Sequence, residues 1–324
     1  MTINLKNLLY LFQNPSASEG ESFIIAYSGG VDSHVLLHLM ADLKNKNPDL
    51  NIKAIHINHQ LNPNSNQWEA HCKKICENLE IELMIEKITI NLKAGDSLEE
   101  QARLARYKTF EKYIEKNSVL LTAHNLNDQA ETFLLQALRG AGPKGLSAMP
   151  IEKKLGLGKL VRPLLSYSRA DILEYAKKHQ LIWMEDDSNL NNQFDRNFLR
   201  NTIFPKLLER KPAVFENFSR SARLLAEHEK IISEISREDF EKIKTEQITK
   251  IDLKKLLLLS NPRQRLVLRE WLLQNNIRSP SEKQLKQIQQ DVLYAKTDAH
   301  PIFRLNDFCI KRSKEMLILA KERL

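Results

Sequence analysis

In the first 140 residues, short apolar runs alternate with segments of helical periodicity, and this alternation constrains the fold more than any other feature. The runs lie at 22–27, 52–57, 81–88 and 119–123. The helical segments lie at 33–44, 66–79, 97–116 and 127–138, and a Ser97/Glu100 capping box opens the third. Strands that alternate with helices in this way form a parallel sheet covered by helices on both faces. We therefore predict an α/β fold with a doubly wound, mostly parallel sheet, whose ligands bind beyond the carboxyl ends of the strands.

The rest of the chain predicts the end of this domain and a smaller domain after it. A glycine- and proline-rich stretch at 140–145 interrupts the pattern, and a strand at 159–165 and a helix at 168–180 follow. Further helical patterns lie at 197–210, 213–244, 263–274 and 281–295, and strand-like runs at 302–310 and 316–320. We predict a first domain at 1–215, a helical linker at 216–244 and a smaller C-terminal α+β domain at 245–324.

Composition excludes several classes of protein. The chain has 324 residues, of which 42% are hydrophobic and 28% charged, and this is enough apolar material to exclude wholesale disorder. The apolar run at 8–12 is too short for a secretory signal, and no run approaches the ~18 apolar residues of a membrane span. Three cysteines do not make a disulfide scaffold. We expect a soluble, cytoplasmic protein with no membrane partner.

The excess positive charge is concentrated in the final third. Residues 1–210 contain 26 basic and 25 acidic side chains, whereas residues 211–324 contain 23 and 16. Such a surface suits a polyanion such as nucleic acid. A solvated, lysine-rich helical surface would give the same count, so charge alone leaves both interpretations open.

The loop that follows the first predicted strand, SGGVDS at 28–33, is the strongest functional signal. Its glycines allow the backbone to approach a ligand closely, and the helix that begins there supplies unpaired N–H groups and partial positive charge. It is neither a Walker A loop, which has a lysine, nor a GxGxxG motif. The alternative interpretation is a tight turn followed by a helix N-cap, but it does not account for the whole SGGVDS string after the first strand. The predicted phosphate-binding residues are Ser28, Gly29, Gly30, Val31, Asp32 and Ser33.

The same loop resembles the SGGxDS loop of the PP-loop ATP pyrophosphatases, which cleave ATP between the α- and β-phosphates to adenylate a substrate. Further segments between 24 and 200 are similar to the tRNA(Ile)-lysidine synthetase branch of that superfamily. In chain order they are HINHQL at 56–61, LEEQARLARY at 98–107, TAHNLNDQAET at 122–132, RG at 139–140, GL at 145–146, VRPLL at 161–165, DSN at 187–189 and RNFLR at 196–200. Three positions depart from the family pattern: Asn62 replaces an arginine, and Asn125 and Asn127 stand where the family often has His and Asp.

The resemblance implies ligation of L-lysine to the wobble cytidine of isoleucine tRNA with a CAU anticodon. ATP would first adenylate the C2 oxygen of the cytosine and expel pyrophosphate, and the lysine ε-amine would then attack C2 and release AMP. Because negative charge builds up as pyrophosphate leaves, the step needs backbone donors and a cation. The expected cofactors are ATP and Mg²⁺.

Three carboxylates are candidate catalytic residues: Asp32, Asp128 and Glu131. Asp32 would contact the magnesium ion or order the loop. Asp128 and Glu131 lie three residues apart on one helix face, where they would bind Mg²⁺ or accept a proton from the attacking amine. Acidic residues also favour the first turn of any helix, so their position has an ordinary explanation as well. The predicted metal ligands are Asp32 and Asp128.

Four arginines are candidate substrate-binding residues. Arg103 and Arg106 share a helix face and would bind the lysine carboxylate or the ATP phosphates. Ordinary helix pairing, for instance of Glu99 with Arg103, accounts for them equally well. Arg196 and Arg200 would bind tRNA phosphates or the adenylated base, and the alternative for this pair is simple surface charge.

Two other functions remain open at this point. The first is another PP-loop enzyme that modifies a different RNA base, although three cysteines cannot build the four-cysteine cluster of iron–sulfur-dependent thiolases within one chain. The second is an RNA-binding relative without catalysis, with Asn125 and Asn127 as traces of the loss. Some lysidine synthetases carry a further C-terminal domain, so a short architecture and a truncated version are both open, as is a homodimer. The basic residues expected to meet tRNA include Arg263, Arg265, Arg269, Arg278, Lys311, Arg312 and Lys314.

Overall fold

The computed structural model describes residues 3, 21–60, 64–90, 97–185, 191–296, 299–305 and 307–321, and of Glu99 only the backbone. The apolar run at 8–12, Asn62 and the DSN segment at 187–189 lie outside the described residues. The chain divides into two compact units, Met1–Ala226 and Glu227–Leu324. Each unit is built around a sheet of its own.

A six-stranded sheet forms the centre of the first unit. Its strands are β1 (Ser22–Ala26), β2 (Asn51–Asn58), β3 (Glu82–Lys87), β4 (Ser118–Leu121), β5 (Glu152–Leu155) and β6 (Gly158–Val161). They lie in the order β3-β2-β1-β4-β6-β5, and every neighbouring pair is parallel except β5 with β6. The predicted doubly wound, mostly parallel sheet is confirmed. Because β1 has β2 on one side and β4 on the other, the topological switch point lies between β1 and β4, where such sheets bind ligands.

Helices cover both faces of this sheet. They are α1 (Val31–Lys46), α2 (Ser65–Asn78), α3 (Leu98–Glu111), α4 (Leu126–Leu138), α5 (Pro143–Leu146) and α6 (Arg169–Lys178). Successive side chains of a strand point to opposite faces, so Phe23 and Ile25 of β1 pack with α1, α2 and α6. Ile24 points the other way and packs with Phe110 of α3. Both faces of β1 are thus buried, which explains its uninterrupted apolar sequence.

The first unit ends with a helical segment that packs on α4. It consists of α7 (Asp195–Phe198), a π-helical turn at Leu199–Ile203, α8 (Phe204–Arg210) and the start of α9 (Val214–Ile243). Leu199, Phe204 and Val214 are buried there against Ala130 of α4. This packing fixes the arginines of the segment relative to the acidic start of α4.

The second unit contains a four-stranded antiparallel sheet in the order β7-β10-β9-β8. Its strands are β7 (Lys250–Asp252), β8 (Ile302–Leu305), β9 (Phe308–Ser313) and β10 (Met316–Lys321), and its helices after α9 are α10 (Leu253–Leu257), α11 (Asn261–Gln274) and α12 (Glu282–Ile288), followed by a π-helical turn at Gln289–Leu293. Trp271 of α11 is fully buried in this core, and its indole N–H donates to the carbonyl of Ile248 at 2.8 Å. The predicted α+β character of the C-terminal region is confirmed.

The structure differs from the predicted elements at four places. The predicted capping box is wrong: the Ser97 side chain caps no backbone N–H of α3, and the Glu100 carboxylate accepts from Arg103. The helix α3 ends at Glu111 rather than at 116. The run at 302–310 is two strands, since Leu305 pairs with Phe308 in an antiparallel hairpin. β5 and β7 were not predicted. No helix in the described ranges is long and apolar enough to cross a membrane.

Candidate active site

The loop between β1 and α1 has a shape that only glycine allows at its centre. Gly29 adopts a φ of +88°, and a Cβ added there would lie 3.0 Å from the Sγ of Cys72. The loop is held from within by Ser33, whose hydroxyl donates to the carbonyl of Gly30 at 3.0 Å and accepts from the backbone N–H of Ser28 at 3.2 Å. No side chain caps α1, so the N–H groups of its first turn are available to an anion.

Asp32 of this loop is joined to the start of α4 by Asn125. The Asn125 side-chain amide donates to Asp32 at 3.1 Å, and its oxygen accepts from the backbone N–H of Asp128 at 3.1 Å. The Asp128 carboxylate in turn accepts from the backbone N–H of Asn125 at 2.9 Å, which completes a capping box. Burial and the nearby Asp128 raise the pKa of Asp32, and Arg169, Asn125 and Arg200 only partly oppose them.

The two asparagines that depart from the family pattern therefore have structural roles. Asn125 is buried and fixes Asp32 relative to Asp128. The side-chain oxygen of Asn127 accepts from the backbone N–H of Arg169 at 3.0 Å and ties α4 to the start of α6. Amide side chains are well suited to this because they both donate and accept.

Asp128 and Glu131 form one ion cluster with Arg196 and Arg200. Arg196 donates to Glu131 at 2.7 Å and to Asp128 at 2.9 Å. Arg200 donates to Glu131 at 2.7 and 2.9 Å and to Asp128 at 3.2 Å. Glu131 is 1% exposed, and such a buried carboxylate persists only when it is paired and hydrogen-bonded.

The cluster sets the charge of its members. Burial alone would raise the pKa of Asp128, but Arg196, His124 and Arg200 outweigh it and lower that pKa below its ordinary value. The side chains of Arg196 and Arg200 are only 29% and 27% exposed, so simple surface charge is the wrong description of them. Arg200 lies in the π-helical turn, a feature that is frequent at functional sites.

The two arginines of α3 occupy different environments. Arg103 is exposed and donates to Glu100 of the same helix at 2.8 Å, while its guanidinium lies 5.9 Å from the ring centre of Tyr107. Arg106 instead lies close enough to His59 and His124 to lower the pKa of both imidazoles. Arg103 therefore forms an ordinary ion pair within its helix, as the alternative interpretation had it, but with Glu100 as the partner.

His124 and Arg162 belong to the family-like segments at 122–132 and 161–165, but the sequence alone assigns no function to either. His124 follows β4, and burial together with Arg162, Arg196 and Arg106 lowers its pKa. Arg162 follows β6 and is 4% exposed. A polar or charged residue directly after a buried parallel strand is the sequence signal that could have identified both.

The metal-binding capacity of the site rests on two carboxylates. Asp32 and Asp128 are near enough for each to affect the other electrostatically, whereas no group of three or more His, Cys, Asp or Glu side chains in the described ranges is arranged to hold a metal ion. Mg²⁺ is commonly bound through one or two carboxylates plus substrate phosphates. The donor set thus fits Mg²⁺ that arrives with a nucleotide.

Comparison with known proteins matches both units of the chain. A family model described as a PP-loop domain matches residues 2–207, and one described as the TilS substrate binding domain matches residues 251–318. The tRNA(Ile)-lysidine synthase of Coxiella burnetii is 47% identical over 303 residues, which are 94% of this chain and 67% of that protein. The enzyme of the same name from Haemophilus influenzae strain PittEE is 40% identical over 93% of this chain and 70% of its own length.

Among solved structures, the U34-tRNA thiolase NcsA from Methanococcus maripaludis has a similar fold. It superposes with a TM-score of 0.57 at 19% sequence identity, over 68% of this chain and 77% of the thiolase. At this identity the likeness concerns the fold alone.

Proposed function

This chain belongs to the tRNA(Ile)-lysidine synthases, and we propose that it uses ATP to join L-lysine to the wobble cytidine of isoleucine tRNA with a CAU anticodon. One observation carries the proposal. The anion-binding loop at 28–33 meets a cluster of carboxylates and arginines at the switch point of the sheet, so a nucleotide and a second substrate can react there.

The loop would hold the triphosphate so that the bond between the α- and β-phosphates can break. The N–H groups of the first turn of α1 and the hydroxyl of Ser28 would donate to the phosphate oxygens, whereas the Ser33 hydroxyl, which donates to the carbonyl of Gly30, would hold the loop in shape. Because a guanidinium has five N–H donors, Arg200 can keep its bonds to Glu131 and still donate to a leaving pyrophosphate. Such fixed donors stabilise the negative charge as it develops.

Mg²⁺ is proposed as the cation of this step, with Asp32 and Asp128 as its protein ligands. Asp32 suits this role because, within the described ranges, its carboxylate accepts a single side-chain hydrogen bond, from Asn125, and because burial and Asp128 raise its pKa. When bound, the ion would neutralise charge on the departing phosphates.

Lysine would enter beside the ionised carboxylates of α4. Asp128 is ionised at neutral pH because its pKa is lowered, so it can attract the ε-ammonium of the incoming lysine. The ε-ammonium would give up one proton to solvent before its nitrogen can attack C2, because an ammonium has no lone pair. Once the amine has bonded to C2, its remaining protons become strongly acidic, and a weak base such as Asp128 or Glu131 can accept one. Arg103 and Arg106 remain proposed sites for the lysine carboxylate or the ATP phosphates, and Arg196 and Arg200 for tRNA phosphates or the adenylated base.

The second unit would bind the tRNA, and the structure sorts its basic residues. Arg263 is paired with the buried Asp239, and Arg312 donates to the carbonyls of Leu293 and Ala295. These arginines are engaged in holding the unit together. Exposed side chains are better placed to contact phosphates, and they are Arg269, Arg278, Lys311 and Lys314.

A single assay tests the proposal and separates the alternatives. The protein is incubated with ATP, Mg²⁺, labelled lysine and isoleucine tRNA with a CAU anticodon. Incorporation of lysine with release of AMP and pyrophosphate supports the proposal. Release of AMP without incorporation of lysine would favour another base-modifying enzyme. Binding of tRNA without cleavage of ATP would favour an inactive relative. Release of ADP and orthophosphate would contradict the PP-loop mechanism. Light scattering of the purified protein tests the proposed homodimer.

A further inference from the structure

Arg162 is a buried cation that has no acidic partner among the described residues. It lies directly after β6 and is 4% exposed. Its side chain donates to the carbonyl of Pro150 at 2.6 Å and hydrogen-bonds with Tyr107 of α3. Its Nε is fully buried and has no hydrogen-bond partner, and no carboxylate pairs with the guanidinium in the part of the chain that the structure describes.

This environment is costly for an arginine. A buried ion is stable only when an opposite charge and hydrogen bonds replace its hydration. For Arg162 the two neutral partners satisfy only some of its five N–H groups. Burial accordingly lowers the pKa of Arg162 from its ordinary value. A site with these properties is completed when an anion binds.

The surroundings of Arg162 are also positive. Lys153 lies 4.7 Å and Arg103 5.9 Å from the ring centre of Tyr107, so three cationic side chains surround one tyrosine. Arg106 and Arg162 both lie near enough to His124, beside the ion cluster, to disfavour its protonation. These charges attract an anion and would repel a second cation.

The position of Arg162 favours a carboxylate over the triphosphate. β6 is separated from β1 by β4, so at ~4.8 Å per strand Arg162 starts about 10 Å from the strand that carries the phosphate loop. Arg162 also contacts α3, which packs on the opposite face of the sheet from α1. A free lysine carries its carboxylate and its reactive amine at the two ends of a four-carbon stem, which suits a carboxylate site set apart from the phosphates.

We propose that Arg162, oriented by the Tyr107 hydroxyl, binds the α-carboxylate of the amino-acid substrate. The inference rests on the proposed function and adds the residue that would distinguish a free amino acid from other amines. Two N–H groups in a fixed planar arrangement match a carboxylate, which a lysine ammonium in the same place would not. Arg106 would supply further positive charge nearby.

The test compares lysine with lysinamide, whose carboxylate is replaced by a neutral amide. Steady-state kinetics are measured for the whole protein with varied amino acid at saturating ATP and tRNA, and then with varied ATP. For Arg162→Lys we expect the KM for lysine to rise about 30-fold or more, as in the loss of a buried charged pair, with little change in the KM for ATP. The preference for lysine over lysinamide should fall by a similar factor.

Two further variants keep the test decisive. Tyr107→Phe removes only the orienting hydroxyl and should raise the KM for lysine about fivefold, as expected for the loss of one hydrogen bond; it replaces Arg162→Lys if that variant does not fold. Arg210→Lys, at an exposed position, should change neither constant.

The outcomes separate this inference from the proposed function. An unchanged preference for lysine over lysinamide in both variants would overturn the inference. A rise in the KM for ATP, with no change in the KM for lysine, would show that Arg162 binds a phosphate and would also overturn the inference. Failure of the unmodified protein to incorporate lysine would instead contradict the proposed function.

Discussion

Glu131→Gln should destabilise the first unit strongly, because it removes the buried negative charge that two half-buried arginines share. Glu131 is 1% exposed and accepts three hydrogen bonds, at 2.7, 2.7 and 2.9 Å, from Arg196 and Arg200. Glutamine keeps one acceptor oxygen and brings an N–H₂ group toward the cations. Breaking a buried pair by removal of one partner costs about 3–5 kcal/mol. With Asp128 still bound to both arginines, we expect about 3 kcal/mol.

The assay is thermal and urea unfolding of the whole protein, with pyrophosphate release measured alongside. For a unit of about 200 residues, a loss of about 3 kcal/mol lowers the Tm by about 6–12 °C. The matched control is Asp195→Asn, which removes an exposed pair whose atoms lie 3.9 Å apart and should cost less than about 1 kcal/mol. The double variant Glu131→Gln/Arg200→Met should recover part of the loss, because Asp128 then has one guanidinium to neutralise instead of two. A Glu131→Gln protein as stable as the control would refute the reasoning.

Other substitutions test the loop, the two aspartates and the basic surface. Gly29→Ala should cost more than about 1 kcal/mol of stability and raise the KM for ATP, because Gly29 has a φ of +88° and an added Cβ would lie 3.0 Å from the Sγ of Cys72. In the control Gly142→Ala the added Cβ meets no atom within 4 Å, so we expect neither effect. Asp32→Asn should raise the free energy of unfolding at pH 7 and abolish pyrophosphate release. Because the pKa of Asp32 is raised in the folded state, the protein loses stability as pH rises through that pKa, and asparagine avoids this loss because it cannot ionise. Asp128→Asn should lower the unfolding free energy at pH 7 and have little effect in acid, because a lowered pKa gives stability that is lost as pH falls through it. The affinity for tRNA should fall steeply with salt, and Lys311→Ala should reduce the slope of log Kd against log salt by about 1; a flat salt response would contradict the proposed tRNA surface.

The parallel sheet could be predicted because its central strands are buried on both faces. Such strands read as short apolar runs, and helices with a different period separate them. β5 was missed because its sequence, EKKL, has only one fully buried residue, Leu155, and pairs at the edge of the sheet. The hairpin of β8 and β9 was read as one strand because apolar residues stand on both sides of its turn, although the Asn306-Asp307 dipeptide is a turn signal.

The site could be predicted residue by residue but not as an assembly. Local spacing indicated that Asp128 and Glu131 share one helix face and that Arg196 and Arg200 share another. That the two faces meet depends on tertiary packing across 65 to 72 residues of chain, and no local pattern reports such a contact. The same applies to Asn125, whose partner Asp32 is 93 residues away. Sequence reasoning therefore named the acids and the bases separately and did not foresee that they neutralise one another.

The strand order has a consequence for the protein during its synthesis. β1 and its glycine loop leave the ribosome early, but β4 is nearly 100 residues further along, as the pairing of Ser22 with Ser118 shows. The arginines that complete the ion cluster come later still, at 196 and 200. A nascent chain therefore carries the glycine loop for most of the first domain's translation without the arginines of the ion cluster, and a fragment that ends before residue 200 lacks part of the proposed active site.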